Sequence, residues 1–191
     1  MPISSLELKH FLSAAFVECG SYCGDGIKSA LIAGFDSVYS IEINTFNYEE
    51  CSNIVGGDKR VHLYLGDCGK LLDKVLNAIN APCTIYADAN GWVGEVESPF
   101  YSSIEALVRH NRKDHIILVD DINHGFRERQ EILNDLRDSD MVRQLRRINN
   151  DYTLYLIDTH TENLVITYPS WVLVGDPIKN RFPNLAESEY V

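Results

Sequence analysis

Phe16-Val17-Glu18-Cys19-Gly20-Ser21-Tyr22-Cys23-Gly24-Asp25-Gly26 is an apolar run that ends in an acid, turns through glycines and opens into a helical pattern from Ile27 to Ala33. Glycine has no Cβ, so residues 20, 24 and 26 let backbone approach a ligand where a side chain would block it. In a strand–turn–helix setting such a loop holds a nucleotide-type cofactor. The next predicted strand, Ser37-Val38-Tyr39-Ser40-Ile41-Glu42, also ends in an acid. Glu42 follows Gly20 by 22 positions, near the roughly 20 expected of a carboxylate that grips ribose hydroxyls.

Strand and helix patterns alternate on both sides of this stretch. A helix is predicted over Ser4–Ala14, a first strand over Ala15–Cys19 and a helix from Asp25 or Gly26 to a stop at Gly34. Then follow a strand over Val38–Ile43, a helix over Phe46–Ile54, and a strand over Val61–Leu65 that runs into Gly66-Asp67. Leucines, valine and isoleucine at helical spacing mark Leu71–Ile79, which Pro82 breaks. Cys83–Ala87 is the fourth strand, closed by Asp88, and residues 89–98 are a glycine- and acid-rich loop. A helix over Tyr101–Arg109 leads to a fifth strand, Ile116–Val119, which runs straight into Asp120-Asp121. Phe126–Ile148 reads as a long polar helix with a break near Asp138-Ser139-Asp140.

The last strands are predicted over Tyr152–Ile157 and Leu164–Tyr168, the second resuming at Trp171–Val174. Between them Asp158–Asn163 is short and polar. A parallel crossover needs a dozen or more residues, so these two strands pair antiparallel. The expected fold is α/β: a doubly wound, Rossmann-like sheet of five parallel strands followed by an antiparallel pair, with helices on both faces. One domain spans residues 1–191.

The chain carries 17 basic and 28 acidic residues, a net charge of −11. That balance argues against a nucleic-acid partner, whose backbone needs clustered Lys and Arg. Arg143, Arg146 and Arg147 are such a cluster locally, and read as a solvated helix face. The five cysteines, 19, 23, 51, 68 and 83, are odd in number and form no C-x-x-C pair, which points to a reducing cytoplasm. The first ten residues lack a signal-peptide pattern. No apolar run nears the ~20 residues that cross a bilayer, so no membrane association is expected.

The order of elements, the terminal antiparallel pair and the loop motif resemble the class I S-adenosylmethionine-dependent methyltransferases over about residues 15–175. The family's first strand ends in an acid and a Gly-x-Gly-x-Gly turn. Here the stretch is Glu18-x-Gly20-x-Tyr22-x-Gly24, with Tyr22 in place of the middle glycine. The resemblance implies that Glu18, Gly20, Ser21, Tyr22 and Gly24 form the loop that holds the methionine part of S-adenosyl-L-methionine. It implies that Glu42, with Ile43 beside it, binds the ribose hydroxyls, and that Asp67, with Cys68 beside it, meets the adenine amino group. Asp88 is implied on the cofactor too. Carboxylates are acceptors only, which suits a pair of hydroxyls or an amine, and an acid-lined pocket suits a sulfonium cation. The plainer alternatives are a tight turn at Gly24 and Gly26 and helix capping by the strand-end acids.

Asp88, Asp120 and Asp121 fall at strand ends, where ligands bind in open α/β sheets. Three converging acids repel unless a cation or protons intervene, and hard oxygen ligands suit Mg²⁺. The pattern resembles the metal-dependent small-molecule O-methyltransferases, macrocin O-methyltransferase-like in its Asp-Asp pair after the fifth strand. In those enzymes the metal holds the acceptor hydroxyl and lowers its pKa. The catechol-type members place a lysine base three residues after the first metal acid; that position here is Gly91. His124 is the histidine nearest in sequence to the acids, and is either the general base or a loop residue. Catalytic roles are therefore expected of Asp88 and His124. Asn90, Trp92 and Phe100 either line the pocket or pack locally.

The expected activity is methyl transfer from S-adenosylmethionine to a small-molecule hydroxyl. Two alternatives stand beside it. One is a cofactor-binding protein without transfer activity, or a subunit whose pocket a partner or second copy completes. The other is a nicotinamide-dependent oxidoreductase, which the terminal antiparallel pair and Tyr22 disfavour.

Overall fold

Phe16–Cys19 (β1) is buried at every position, as a strand flanked on both sides and covered on both faces must be. In the computed structural model, which describes residues 3–87, 99–120, 122, 129–158, 171–179, 181 and 182, it lies within a seven-stranded sheet. Its parallel neighbours are Val38–Glu42 (β2) and Thr84–Ala87 (β4). Val61–Leu65 (β3) pairs with β2, and Ile116–Val119 (β5) with β4, both parallel. Thr153–Asp158 (β6) and Trp171–Asp176 (β7) complete the order β3-β2-β1-β4-β5-β7-β6.

The last two described strands are antiparallel as expected, but residues 159–170 separate them instead of the expected short turn Asp158–Asn163, and they are not a reversed pair added to the edge. β7 inserts between β5 and β6 and is antiparallel to both. Strand β6 therefore runs in the sense of the five parallel strands, and β7 alone is reversed. Leu173 and Val174 are fully buried because β7 is an interior strand. Residues 159–170, which include the strand expected over Leu164–Tyr168, lie outside the described residues.

Side chains alternate along each strand, so the sheet feeds two cores. Val17, Ile85 and Ile117 face helices Cys68–Ile79 (α4), Pro99–Arg109 (α5), Arg129–Arg137 (α6) and Asp140–Ile148 (α7). Phe16, Val38 and Leu118 face Ser5–Leu8 (α1), Asp25–Ala33 (α2) and Thr45–Val55 (α3). Helices thus cover both faces, and none of the described helices is long and apolar enough to cross a membrane.

Several bounds differ from expectation for local reasons. The first helix gives way to a 3₁₀ turn, Lys9–Phe11, and Leu12 is extended with ψ 133°. Ser13 is then spent on Ala15 and Thr84, a strand-side anchor that a longer helix would break. α4 starts at Cys68, three residues early, because the Asp67 side chain caps it. The expected break in the long helix falls between α6 and α7, where Ser139 accepts from the Val142 N–H and restarts the chain as a helix. Arg143 and Arg147 pair with Asp140 and Glu105 on the exposed side, as a solvated face requires.

Candidate functional site

Parallel pairing places the carboxyl ends of β1, β2 and β3 on one edge, where their loops interlock. Gly20 donates its N–H to the Ile41 carbonyl at 2.9 Å, and Gly66 donates to the Glu42 carbonyl at 2.8 Å. The loop after β1 runs through left-handed backbone at Gly20, Tyr22 and Gly24, with φ of 98°, 42° and 78°. That conformation is unfavourable for a bulky residue, and at Tyr22 Glu42 holds it. The Glu42 carboxylate, 6% exposed, accepts from the N–H groups of Ser21 and Tyr22, each at 3.0 Å through Oε2. Its Oε1 accepts from Asn44 N–H at 2.8 Å. Beside it Tyr22 and Ile43 stand 69% and 70% exposed, an apolar rim around a buried anion.

Glu18 lies beneath the loop rather than on its surface. It is 1% exposed, and its Oε2 accepts from the Ser40 hydroxyl at 2.6 Å. Ser40 and Ser21 hydroxyls are in turn 2.6 Å apart. A Cβ at Gly26 would stand 1.8 Å from Glu18 Oε1. The close approach that Gly26 permits is therefore that of Glu18, within the protein. Gly24 is similarly constrained, with the Cys51 thiol 3.0 Å from where its Cβ would stand.

Asp67 sits after β3 and caps α4, accepting from Gly69 N–H at 2.8 Å through Oδ1, with Lys70 Nζ 3.5 Å from Oδ2. The capping alternative is thus the role its Oδ1 plays. Cys68 follows, buried, with its Sγ 3.8 Å from the Ile41 carbonyl. Cys68 and Cys19, both free thiols, act on one another electrostatically, which lowers the Cys19 pKa and raises that of Cys68. Ser103 donates to Cys19 Sγ at 3.7 Å. This sulfur-lined floor between β1, α4 and α5 carried no sequence signal beyond the apolar runs around each cysteine.

Asp120 ends β5, 3% exposed, and its Oδ2 accepts from the Tyr86 hydroxyl. That hydroxyl also accepts from Ile3 N–H at 3.1 Å, which ties the amino-terminal segment to the strand ends. Sequence reasoning missed Tyr86; the signal was its alternation with Ile85 and Ala87, which puts it on the same face of β4 as Phe16 of β1. Asp88, Asp121, His124, Asn90 and Trp92 lie outside the described residues. Among the described residues no three His, Cys, Asp or Glu side chains gather as a metal site. Phe100 is buried with its ring edge-on to Tyr101, the local-packing alternative.

The sequence matches no family model and no curated protein. Solved structures do resemble it. The O-methyltransferase TomG of Streptomyces achromogenes, involved in tomaymycin synthesis and in complex with S-adenosylmethionine, is 18% identical. The match covers 90% of this chain and 77% of that one at a TM-score of 0.56. An O-methyltransferase of Bacillus cereus in complex with S-adenosylhomocysteine is 13% identical, covering 90% and 78% at a TM-score of 0.52. An rRNA methylase of Streptococcus thermophilus is 15% identical, covering 90% and 93% at a TM-score of 0.53. The chain therefore has the fold of the class I S-adenosylmethionine-dependent methyltransferases.

Proposed function

We propose that the protein is an S-adenosylmethionine-dependent methyltransferase acting on a hydroxyl oxygen of a small molecule, assisted by a divalent cation. The observation that carries the cofactor assignment is Glu42: a buried carboxylate at a strand end, tied to the glycine-loop amides and flanked by exposed Ile43. A carboxylate accepts about four hydrogen bonds, and three here come from backbone. The remaining position takes one ribose hydroxyl, and exchange of a loop N–H admits the second. Ile43 offers the apolar surface for adenine, and the Gly20–Gly24 backbone offers N–H groups to the methionine end.

When bound, the cofactor supplies the electrophilic methyl group and the cation supplies charge that lowers the hydroxyl pKa. Asp88, Asp120 and Asp121 are the oxygen ligands in this reading, and His124 receives the hydroxyl proton. The chain's main contribution is positioning, since the transfer is an in-line displacement. The fold alone does not name the acceptor, because O-methyltransferases and an rRNA methylase share it. The net charge of −11 supports a small molecule over RNA, and five free cysteines support a reducing compartment.

Calorimetric titration with S-adenosylhomocysteine, with and without Mg²⁺, tests the reading. Micromolar binding is the expected result, with a separate Mg²⁺ isotherm that Asp120→Asn weakens. Absence of binding in both buffers, or tight binding of reduced nicotinamide instead, overturns it.

A further inference from the structure

We propose that Ser40 is a positioning residue for the cofactor loop, acting through a one-way hydroxyl relay from Ser21 to Ser40 to Glu18. The inference rests on the cofactor reading above. Each serine hydroxyl has one proton to give, whereas an ionised carboxylate only accepts. Ser40 spends its proton on Glu18 Oε2 at 2.6 Å. At the 2.6 Å contact between the two serines, Ser21 is therefore the donor.

The carboxylate end is held in place. Glu18 Oε1 lies in the notch left by Gly26, in the first turn of α2, where the positive end of the helix favours an anion. A hydroxyl at Ser40, wholly buried and two residues from the core residue Val38, costs free energy unless bonded. Both of its contacts are made within the relay.

Ser40 and Glu42 are two residues apart, so they share one face of β2. Both act on Ser21: Glu42 takes its N–H and Ser40 takes its O–H. Ser21 is thus tied to β2 at two points, beside the Gly20 N–H on the Ile41 carbonyl and the Tyr22 N–H on Glu42. Without the Ser40 hydroxyl, the Ser21 side chain loses its hold on β2, and the loop rests there on the backbone N–H bonds to Glu42 and the Ile41 carbonyl alone. The loop backbone faces the methionine end of the cofactor in this reading. The adenosine end is held by Glu42, Ile43 and Asp67, outside that loop.

The test compares two ligands by calorimetry on the full chain. S-adenosylhomocysteine carries the amino-acid end, whereas 5′-methylthioadenosine has the adenosine without it. Ser40→Ala and Ser21→Ala should each weaken S-adenosylhomocysteine about tenfold, the size of one buried hydrogen bond. Binding of 5′-methylthioadenosine should stay within about threefold of wild type, a split that a general loss of structure would not produce. The double variant should bind no more weakly than the poorer single one, because both remove the same relay. Unchanged S-adenosylhomocysteine affinity, equal losses on both ligands, or multiplied losses in the double variant overturn the proposal. If thermal melting shows Ser40→Ala unfolded, the ligand ratio in Ser21→Ala decides. A wild type that binds neither ligand overturns the cofactor reading itself, and the relay's role in binding falls with it.

Discussion

Glu42 does two things with one carboxylate, and its replacement tests both. Each hydrogen bond to a charged group contributes about 1.5–3 kcal/mol, so losing two ribose contacts in Glu42→Ala should weaken S-adenosylhomocysteine by roughly a hundredfold or more. Calorimetry checks it, and affinity within threefold of wild type removes Glu42 from the site. His115 is a residue of another kind, remote from the cofactor edge. It is fully buried, its Nδ1 accepts from Cys83 N–H at 3.1 Å, and its Nε2 has no partner among the described residues. Burial, reinforced by His110, pushes its pKa down to about 4 from an ordinary 6.5. Between those values the unfolded chain binds a proton that the folded chain refuses, so stability rises with pH across that window. The contribution is whole above 6.5 and falls by about 3 kcal/mol as pH drops through 4. Urea melts of wild type and His115→Asn at pH 4.5 and 7.5 should show a smaller pH difference in the variant; equal differences exclude His115 as the cause.

At the scale of elements, α2 is placed by what its first turn does not carry. A side chain at Gly26 collides with Glu18, and Glu18 is the fixed end of the serine relay. Gly26→Ala should therefore destabilise the protein by about 3 kcal/mol, the upper part of the range for overpacking, and should weaken S-adenosylhomocysteine as well. A melting temperature equal to wild type would mean that Glu18 moves aside freely. Gly34, in left-handed backbone but with nothing within 4 Å of its Cβ position, serves α2 differently. It ends the helix through backbone conformation, with no demand on neighbouring space.

Across the whole molecule, the described carboxyl-terminal residues fasten the sheet to the amino-terminal segment. Asp176 closes β7, fully buried, and accepts from Tyr155 and Ile178 at 2.8 Å each and from Arg181 at 2.5 Å. Arg181 reaches on to the His10 carbonyl, and Phe182 packs edge-on to Phe11 and Tyr155. Breaking a buried pair strands the remaining charge, so Asp176→Ala should cost about 3 kcal/mol. Cofactor affinity should be unchanged, because the clamp is distant in the sheet order from β1 and β2. A urea midpoint unmoved by the substitution would show that Arg181 is solvated rather than held.

Periodicity and punctuation in the chain determined the order of the described strands and helices and the acids at the ends of β2 and β3, because those depend on neighbours a few residues apart. The glycine loop and Glu42 were legible for the same reason: a strand, a turn and a fixed spacing carry the chemistry locally. The tertiary structure alone decided that β7 lies between β5 and β6, since the sequences of two paired strands do not say which of them meets the rest of the sheet. It also decided the partners of buried polar groups. Ser40 beneath the loop, Tyr86 on Asp120 and Glu18 in the notch at Gly26 join residues from separate strands and helices. Only the assembled sheet brings those atoms within hydrogen-bonding distance, and burial is what makes each of those bonds necessary.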